Sequence, residues 1–171
     1  FEGEPVPAVS SFAPGGPTIY LGSFSKIISP GLRVGYAVAR QDILRRLVIG
    51  KQAADVHTSN LSQAIVARFC TSGHLEPHIQ SVCAEYRAKR DRMLRAMERH
   101  FPRGVIWTRP EGGLFIWATL PPGVSAEERL REAVAERVAF IPGTPFFHDG
   151  SGANPMRLNF SNATPEEIDA G

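Results

Sequence analysis

Residues 20–36 read YLGSFSKIISPGLRVGY, and this stretch decides how the rest of the chain is interpreted. Lys26 stands at its centre, with hydroxyl side chains at Ser23 and Ser25 and a guanidinium at Arg33. Few charges surround Lys26 in the sequence, so we expect its amine to be buried. A buried, readily deprotonated lysine amine is a nucleophile toward carbonyls and forms a Schiff base with them.

The residues around Lys26 suit a phosphate group. Ser23, Ser25 and the turn at Gly31 offer hydroxyl and backbone N–H donors, and Arg33 offers a planar fork that matches a phosphate dianion. A Schiff-base lysine beside phosphate donors describes a pyridoxal phosphate site.

The ordered pattern Ser-Phe-Ser-Lys-x-x-x-Pro-Gly-x-Arg-x-Gly-Tyr, residues 23–36, resembles the cofactor-lysine motif of the fold-type I, class I/II aminotransferases. The branch it resembles contains the 2-aminoadipate and kynurenine aminotransferases and the aminotransferase domains of MocR-type regulators. Ser23-x-x-Lys26 also matches the serine–lysine motif of penicillin-binding proteins and β-lactamases. The companion Ser-Asp-Asn and Lys-Thr-Gly motifs do not occur in the sequence, which disfavours the hydrolase.

The composition indicates a folded protein. Of the 171 residues, 43% are hydrophobic and 21% are charged, and a net charge of +2 gives no indication of nucleic acid or an anionic membrane. No apolar run approaches the roughly 20 residues needed to span a bilayer. Cys70 and Cys83 lack metal-ligand spacing, which favours a reducing cytoplasmic setting. Asp55 and His57 lack a third ligand, so no metal site is predicted.

The first half of the chain is expected to be α/β. Residues 1–17 contain four prolines and a pair of glycines near their end, and they predict a surface loop. Two strands, one of them a near-continuous apolar run, predict a sheet that is covered on both faces and carries Lys26 and Arg33 at its rim. Three helices follow, the second capped by Thr58 or Ser59 and ended by Gly73. The predicted elements are strands 18–23 and 33–39, and helices 42–54, 60–72 and 74–100.

The second half predicts a small α+β domain behind the long helix. Strands are predicted at 105–108, 114–120, 138–141 and 156–161. Ser125 with Glu128 predicts a capping box for a helix that runs to about residue 136, and Thr164-Pro165 predicts a last helix. The long helix carries one apolar stripe, and its basic residues are interleaved with acids, so we expect those side chains to be solvated. They are Arg87, Lys89, Arg90, Arg92, Arg95 and Arg99.

Arg157 is the second candidate site residue. On the strand 156–161 it alternates with Met156 and Leu158, and taken alone it suggests a salt bridge on an edge strand. The segments Gly-Gly-Leu-Phe-Ile-Trp, Val-Ala-Phe-Ile-Pro-Gly and Arg-Leu-Asn-Phe-Ser occur in the order of the C-terminal domain of the family that the chain resembles. The resemblance implies that Arg157 holds the α-carboxylate of an amino acid.

The resemblance implies a fold and an activity for the whole chain. The chain opens at Phe1 without methionine, so we expect the C-terminal part of a longer enzyme. Residues 1–72 would be the remnant of the large domain, with the end of its sheet, and residues 73–171 the connecting helix and small domain. The implied activity is pyridoxal phosphate-dependent transfer of an amino group from an amino acid to a 2-oxo acid, in a cytoplasmic homodimer.

The resemblance also assigns roles to the site residues. Lys26 would carry the Schiff base and act as general acid and base, while Ser23, Ser25 and Arg33 would contact the phosphate. The residues that pair with, stack on and hydrogen-bond the cofactor ring lie upstream in the family, so we expect these 171 residues alone to bind it poorly and not to turn over. The alternatives are the effector domain of a MocR/GntR-type regulator and another pyridoxal phosphate reaction on the same fold.

Overall fold

The computed structural model describes residues 1–13 and 15–171. Pro14, part of the predicted loop 1–17, lies outside the described residues. The chain divides into two compact units. We call Glu4–Ser81 the lysine unit, and Phe1–Gly3 with Val82–Gly171 the arginine unit. The predicted domain boundary between residues 72 and 73 stays a prediction.

The lysine unit begins with a two-stranded antiparallel ribbon. β1 (Tyr20–Ser23) pairs with β2 (Gly35–Val38), and their register sets Tyr20 opposite Val38 and Ser23 opposite Gly35. Both strands were predicted, each slightly longer than observed. The expectation of a sheet covered on both faces is wrong for this chain, because two short strands supply too few neighbours to bury each other. Leu21 on β1 is accordingly 74% exposed.

Two helices follow the ribbon in the lysine unit. α1 spans Gln41–Asp55 and α2 spans Asn60–Thr71, close to the predicted bounds. Ser59 caps α2, since its side-chain oxygen accepts a hydrogen bond from the backbone N–H of Ser62 at 3.4 Å. Gly73, with φ +80°, lies in the left-handed region, where a residue without a Cβ is favoured and where the helix ends.

α3 spans Leu75–His100, as predicted, and the two units meet in sequence inside it. In the arginine unit, Leu94 and Met97 of its apolar stripe are buried in the core. Arg90 corrects the expectation that the basic residues are solvated, because its side chain is only 6% exposed. It donates to both carboxylate oxygens of Glu2 at 2.9 and 2.7 Å and to the Pro110 carbonyl at 2.8 Å. Ion pairing and backbone bonds compensate the loss of hydration that burial imposes.

A four-stranded antiparallel sheet, in the order β3-β4-β6-β5, packs on this part of α3. Ile116 and Ala118 on β4 and Phe160 just after β6 are fully buried and form the centre of the core. The strands are β3 (Ile106–Trp107), β4 (Phe115–Thr119), β5 (Ile141–Pro142) and β6 (Pro155–Asn159).

The predicted strand 138–141 is mostly wrong, since only Ile141 of it belongs to β5. The chain leaves α4 (Ala126–Ala135) through Arg137, which adopts φ +65°, and the N–H of Val138 donates back to the Ala133 carbonyl at 2.8 Å. The residues after α4, as far as Val138, therefore form the end of the helix, and the strand begins only at Ile141.

Side-chain caps mark the beginning of α4 and α5 (Pro165–Ala170), the two short helices of the arginine unit. Ser125 caps α4 by accepting from the N–H of Glu128 at 3.4 Å. Thr164 forms a complete capping box with Glu167 at the start of α5. Among the described residues, no helix has both the length and the apolar character to cross a bilayer.

Candidate functional site

Lys26 lies on the loop that joins β1 to β2. The N–H of Phe24 donates to the Val34 carbonyl at 3.1 Å, which continues the ribbon by one bond and closes the loop. The Phe24 carbonyl then accepts from the N–H groups of Ile27, Ile28 and Ser29, at 3.3, 2.8 and 3.2 Å. These bonds fold residues 24–29 into a tight turn around one oxygen. Lys26 occupies the outer side of that turn and is exposed.

The exposure of Lys26 corrects the expectation of a buried amine. The expectation rested on the scarcity of charges near Lys26 in the sequence. In the fold, however, its loop projects from the end of a two-stranded ribbon, and within this chain that ribbon offers no wall to cover it. Lys26 is therefore an accessible amine on a hydrogen-bonded loop.

Ser23 and Ser25 are brought together on one side of the loop. The N–H of Ser25 donates to the Ser23 hydroxyl oxygen at 3.1 Å. The Ser23 hydroxyl keeps its own hydrogen, and the Ser25 hydroxyl is also a donor, so two O–H groups remain that can serve an anion. Both lie within three residues of Lys26, so the turn carries an amine and two hydroxyls.

Arg33 lies at the other end of the same loop, after a short 3-10 turn at Pro30–Leu32. Its backbone is left-handed, with φ 53° and ψ 40°, which is uncommon for a residue with a side chain. Its backbone N–H and its Nη1 both donate to the Pro30 carbonyl, at 3.4 and 3.1 Å. The guanidinium is thereby tied to its own turn, and its remaining N–H groups are available to an anion.

Aromatic packing supports the start of the loop. The Tyr36 ring packs over the backbone of Gly22, where a Cβ would overlap the ring. It also contacts Phe24, at 5.4 Å between ring centroids, and Tyr20, at 6.1 Å. A hydrogen bond with Tyr20 raises the pKa of Tyr36 above its usual value. Gly22 is therefore required at this position, because the tyrosine occupies the space of a side chain.

A second support for the loop comes from α3. His78 Nε2 lies 2.8 Å from the carbonyl oxygen of Ile27, the residue directly after Lys26. Because the two residues are 51 positions apart, no local pattern in the sequence indicated this contact. Sequence reasoning missed His78 as a neighbour of the candidate site.

Arg157 lies in the arginine unit, on an inner strand of the sheet. β6 pairs with β4 on one side and β5 on the other, which sets Arg157 opposite both Trp117 and Ile141. Its guanidinium carbon lies over the ring of Phe115, 4.1 Å from the centroid, and over the ring of Phe146, at 4.7 Å. The expected edge-strand salt bridge is therefore wrong, because the strand is internal and aromatic faces neighbour the cation.

The hydrogen bonding of Arg157 is incomplete. Its Nε is fully buried and has no hydrogen-bond partner among the described residues. A buried guanidinium N–H without an acceptor costs free energy unless a ligand supplies one. Aromatic faces hold the cation in position without neutralising it. An anion with two oxygens is the ligand that this fork suits.

The side chains of Asp55 and His57, the possible metal pair, each contact another group. Asp55 accepts from Lys51 Nζ at 2.6 Å, one helical turn away. His57 Nδ1 lies 2.9 Å from the Thr58 carbonyl oxygen. Within residues 1–13 and 15–171, no group of three His, Cys, Asp or Glu side chains could hold a metal ion.

The fold is that of the pyridoxal phosphate-dependent transferase class. The chain matches the family described as aminotransferase class I and II over residues 1–171, and it belongs to that family. This confirms the resemblance seen in the sequence. The expected α/β fold is also confirmed, since solved aminotransferases share it along almost the whole chain.

Several named proteins are similar to this chain. The aromatic-amino-acid aminotransferase 1 of Thermococcus litoralis is 43% identical over 171 residues, which is 100% of this chain and 41% of that protein. The 2-aminoadipate transaminase of Thermus thermophilus is 48% identical over 153 residues, covering 90% of this chain and 38% of that protein. An uncharacterized HTH-type transcriptional regulator of Bacillus subtilis, YisV, is 30% identical over 171 residues, 100% of this chain and 35% of that protein.

Solved structures agree with the sequence matches. The multiple substrate aminotransferase of Thermococcus profundus superimposes with a TM-score of 0.94 at 42% identity, covering 99% of this chain and 42% of that one. The kynurenine aminotransferase of Pyrococcus horikoshii, solved in complex with PMP, gives a TM-score of 0.94 at 40% identity, with coverage of 99% and 42%. The chain thus spans about two fifths of the length of the proteins it matches.

Proposed function

We propose that this chain is the part of a pyridoxal phosphate-dependent aminotransferase that carries the cofactor lysine and the substrate-carboxylate arginine. The observation that carries the proposal is the state of Arg157. This half-buried residue lies on β6, an inner strand of the sheet, and its buried Nε has no hydrogen-bond partner among the described residues. A residue in that state is suited to a carboxylate that arrives with a substrate. The identity to aminotransferases along the whole chain supports the same reading.

The residues of the Lys26 loop fit the cofactor. Lys26 supplies an accessible amine that can bond an aldehyde. Ser23 and Ser25 supply hydroxyl donors, and Arg33 supplies N–H groups and a positive charge for a phosphate. When bound, pyridoxal phosphate supplies an aldehyde carbon and an electron-withdrawing ring that weakens the bonds to the α-carbon of an amino acid.

The chain's own residues then have separate tasks. Arg157 binds the α-carboxylate by two parallel N–H···O bonds and so fixes the orientation of the α-carbon. Lys26 Nζ would take the proton from the α-carbon of the amino acid and later return one, which is general acid–base catalysis. Ser23, Ser25 and Arg33 hold the phosphate end in place through both half-reactions. The proposed substrates are an amino-acid donor and a 2-oxo acid acceptor, 2-oxoglutarate among them.

A labelling experiment tests the proposal. The full-length gene product that contains these residues is incubated with pyridoxal phosphate, reduced with borohydride and digested, and the modified peptide is identified by mass spectrometry. We expect the phosphopyridoxyl group on Lys26 and its loss in Lys26→Ala. Lys51→Ala is the matched control, because Lys51 is an exposed lysine of the same unit that is paired with Asp55. Labelling of another lysine, or no labelling, would contradict the proposal.

Assembly and location belong to the same proposal. We propose a cytoplasmic homodimer with no nucleic-acid contact through this segment. Ile49 on α1, Val56 just after it and Leu61 on α2 are 65%, 66% and 72% exposed, an apolar surface that a second copy or the rest of a longer chain would cover. Sedimentation of the full-length protein tests the dimer, and a monomer at micromolar concentration would refute it.

A second candidate function is the effector domain of a MocR/GntR-type regulator. The 30% identity to an uncharacterized HTH-type transcriptional regulator over all 171 residues favours it. In that case a winged-helix segment precedes these residues in the open reading frame, and the full-length protein binds DNA. A further alternative is another pyridoxal phosphate reaction on the same fold. Analysis of the products formed from a panel of amino acids distinguishes it from amino-group transfer.

A further inference from the structure

The peptide group between Ile27 and Ile28, the second one after Lys26, is held at both of its ends. The N–H of Ile28 donates to the Phe24 carbonyl at 2.8 Å, inside the turn. The carbonyl of Ile27, the other end of the same peptide plane, lies 2.8 Å from His78 Nε2. A carbonyl oxygen can only accept, so Nε2 carries the hydrogen and donates it. The peptide plane that begins at the Cα of Ile27 therefore has no freedom to flip while His78 is in place.

His78 is itself fixed by two helices. Its backbone N–H donates to the His74 carbonyl at 3.2 Å in the first turn of α3. Its ring meets the ring of Phe69 on α2 edge-on, with centroids 5.5 Å apart and an interplanar angle of 90°. The imidazole is half-buried, and Phe69 limits its rotation. Packing between α2 and α3 thus fixes the orientation of Nε2, and the hydrogen bond from Nε2 to the Ile27 carbonyl holds the loop.

We propose that His78 is a positioning residue for Lys26, a proposal that rests on the function proposed above. A lysine side chain has four rotatable bonds, and its backbone must be fixed for Nζ to reach one place repeatedly. Phe24 holds the loop from within, and His78 holds it from α3. Without His78 the Ile27–Ile28 peptide can rotate, which loosens the turn around the Phe24 carbonyl and with it the backbone that directs the Lys26 side chain.

Three variants separate the hydrogen bond from the packing. His78→Phe keeps a ring against Phe69 and removes the donor, and His78→Leu serves if that variant does not fold. His78→Gln keeps an N–H donor at similar reach. His74→Leu is the matched control, because His74 also packs on Phe69, with centroids 6.2 Å apart, and no side-chain bond joins it to the loop in the described residues.

The first measurement needs no cofactor. Amide hydrogen exchange of residues 27–29 is followed in the full-length apo protein. The loss of one hydrogen bond that fixes a turn corresponds to an increase in exchange of about 5- to 10-fold in His78→Phe. We expect His78→Gln to stay within about 2-fold and His74→Leu to match the wild type. Unchanged exchange at these amides in folded His78→Phe and His78→Leu would overturn the inference.

The second measurement uses the loaded protein. Circular dichroism in the visible band of bound pyridoxal phosphate reports how rigidly the group is held. We expect a weaker band and a lower kcat in His78→Phe, an unchanged KM for the amino acid, and recovery in His78→Gln. A wild-type band and kcat in His78→Phe would overturn the positioning role. If no variant, the wild type included, takes up the cofactor, the proposed function fails, whereas the exchange experiment still decides whether His78 holds the loop.

Discussion

Replacing Phe146 by leucine should weaken substrate binding through Arg157 without touching the substrate directly. The guanidinium lies 4.7 Å from the Phe146 centroid and 4.1 Å from the Phe115 centroid, and its Nε is buried. A cation–π contact is worth about 0.5–1 kcal/mol when exposed and about 2 kcal/mol when desolvated. Arg157 is half-buried, so we expect a loss of about 1 kcal/mol, which corresponds to a 5-fold rise in KM for the amino acid.

The neighbouring phenylalanine provides the control. Phe147 is 39% exposed and Phe146 is 46% exposed, and both rings contact Trp117, but only Phe146 lies under the guanidinium. Phe147→Leu should therefore change KM by less than about 2-fold.

Steady-state kinetics of the full-length protein measure the effect, with the donor amino acid varied and the 2-oxo acid saturating. In an Arg157→Gln background, Phe146→Leu should add nothing further, because the cation it acts on is gone. Equal KM values for Phe146→Leu and Phe147→Leu would refute the reasoning, as would a full additional loss in the Arg157→Gln background.

Four further predictions concern stability, measured by urea unfolding of the full-length protein. Gly22→Ala should destabilise the ribbon because its Cβ overlaps the Tyr36 ring, and Tyr36→Ala should rescue it; a lack of rescue would contradict that packing. Arg90→Leu should cost about 2 kcal/mol, at the low end for a buried ion pair because Glu2 stays partly hydrated. Hydrogen bonding to Arg90 lowers the pKa of Glu2, so the free energy of unfolding should be larger for the wild type than for Glu2→Gln. This difference should be complete above pH 4.5, the usual glutamate value, and should disappear as the pH falls through the lower folded-state pKa. A difference that does not depend on pH would refute this prediction. Ile116→Ala should cost about 2–5 kcal/mol since Ile116 is fully buried, and a cost below 1 kcal/mol would be inconsistent with that burial.

Features that depend on neighbours in sequence could be predicted. Ser125 and Thr164 each accept from a backbone N–H three residues ahead, so the residue type and its spacing were sufficient to locate two helix starts. The loop between two apolar strands could be predicted in the same way, because residues 20–38 form a local hairpin.

Features that depend on distant residues could not be predicted. Arg90 and its exposed neighbour Arg87 both pair with Glu2, so the sequence around them does not tell them apart. Arg90 also contacts the Phe1 ring and the Pro110 carbonyl, and these distant neighbours accompany its burial. Arg157 has its role changed by the aromatic rings of Phe115 and Phe146, which belong to other segments. His78 reaches the Lys26 loop from a helix that begins after two others. In each case the deciding contact is tertiary and leaves no periodic signal.

Neighbouring residues of strand β6 (Pro155–Asn159) face different surroundings. Met156 contributes to the core, whereas Arg157, its immediate neighbour, carries a buried Nε without a hydrogen-bond partner among the described residues, and we propose that it binds a carboxylate. Removing a single residue upstream in the strand would exchange their faces and abolish both the core packing of Met156 and the proposed role of Arg157. Anyone who wishes to alter substrate preference by random libraries should therefore leave Pro155–Asn159 intact. The short segment Thr144–Phe146 is the better target, because it borders the same guanidinium while contributing no buried residue.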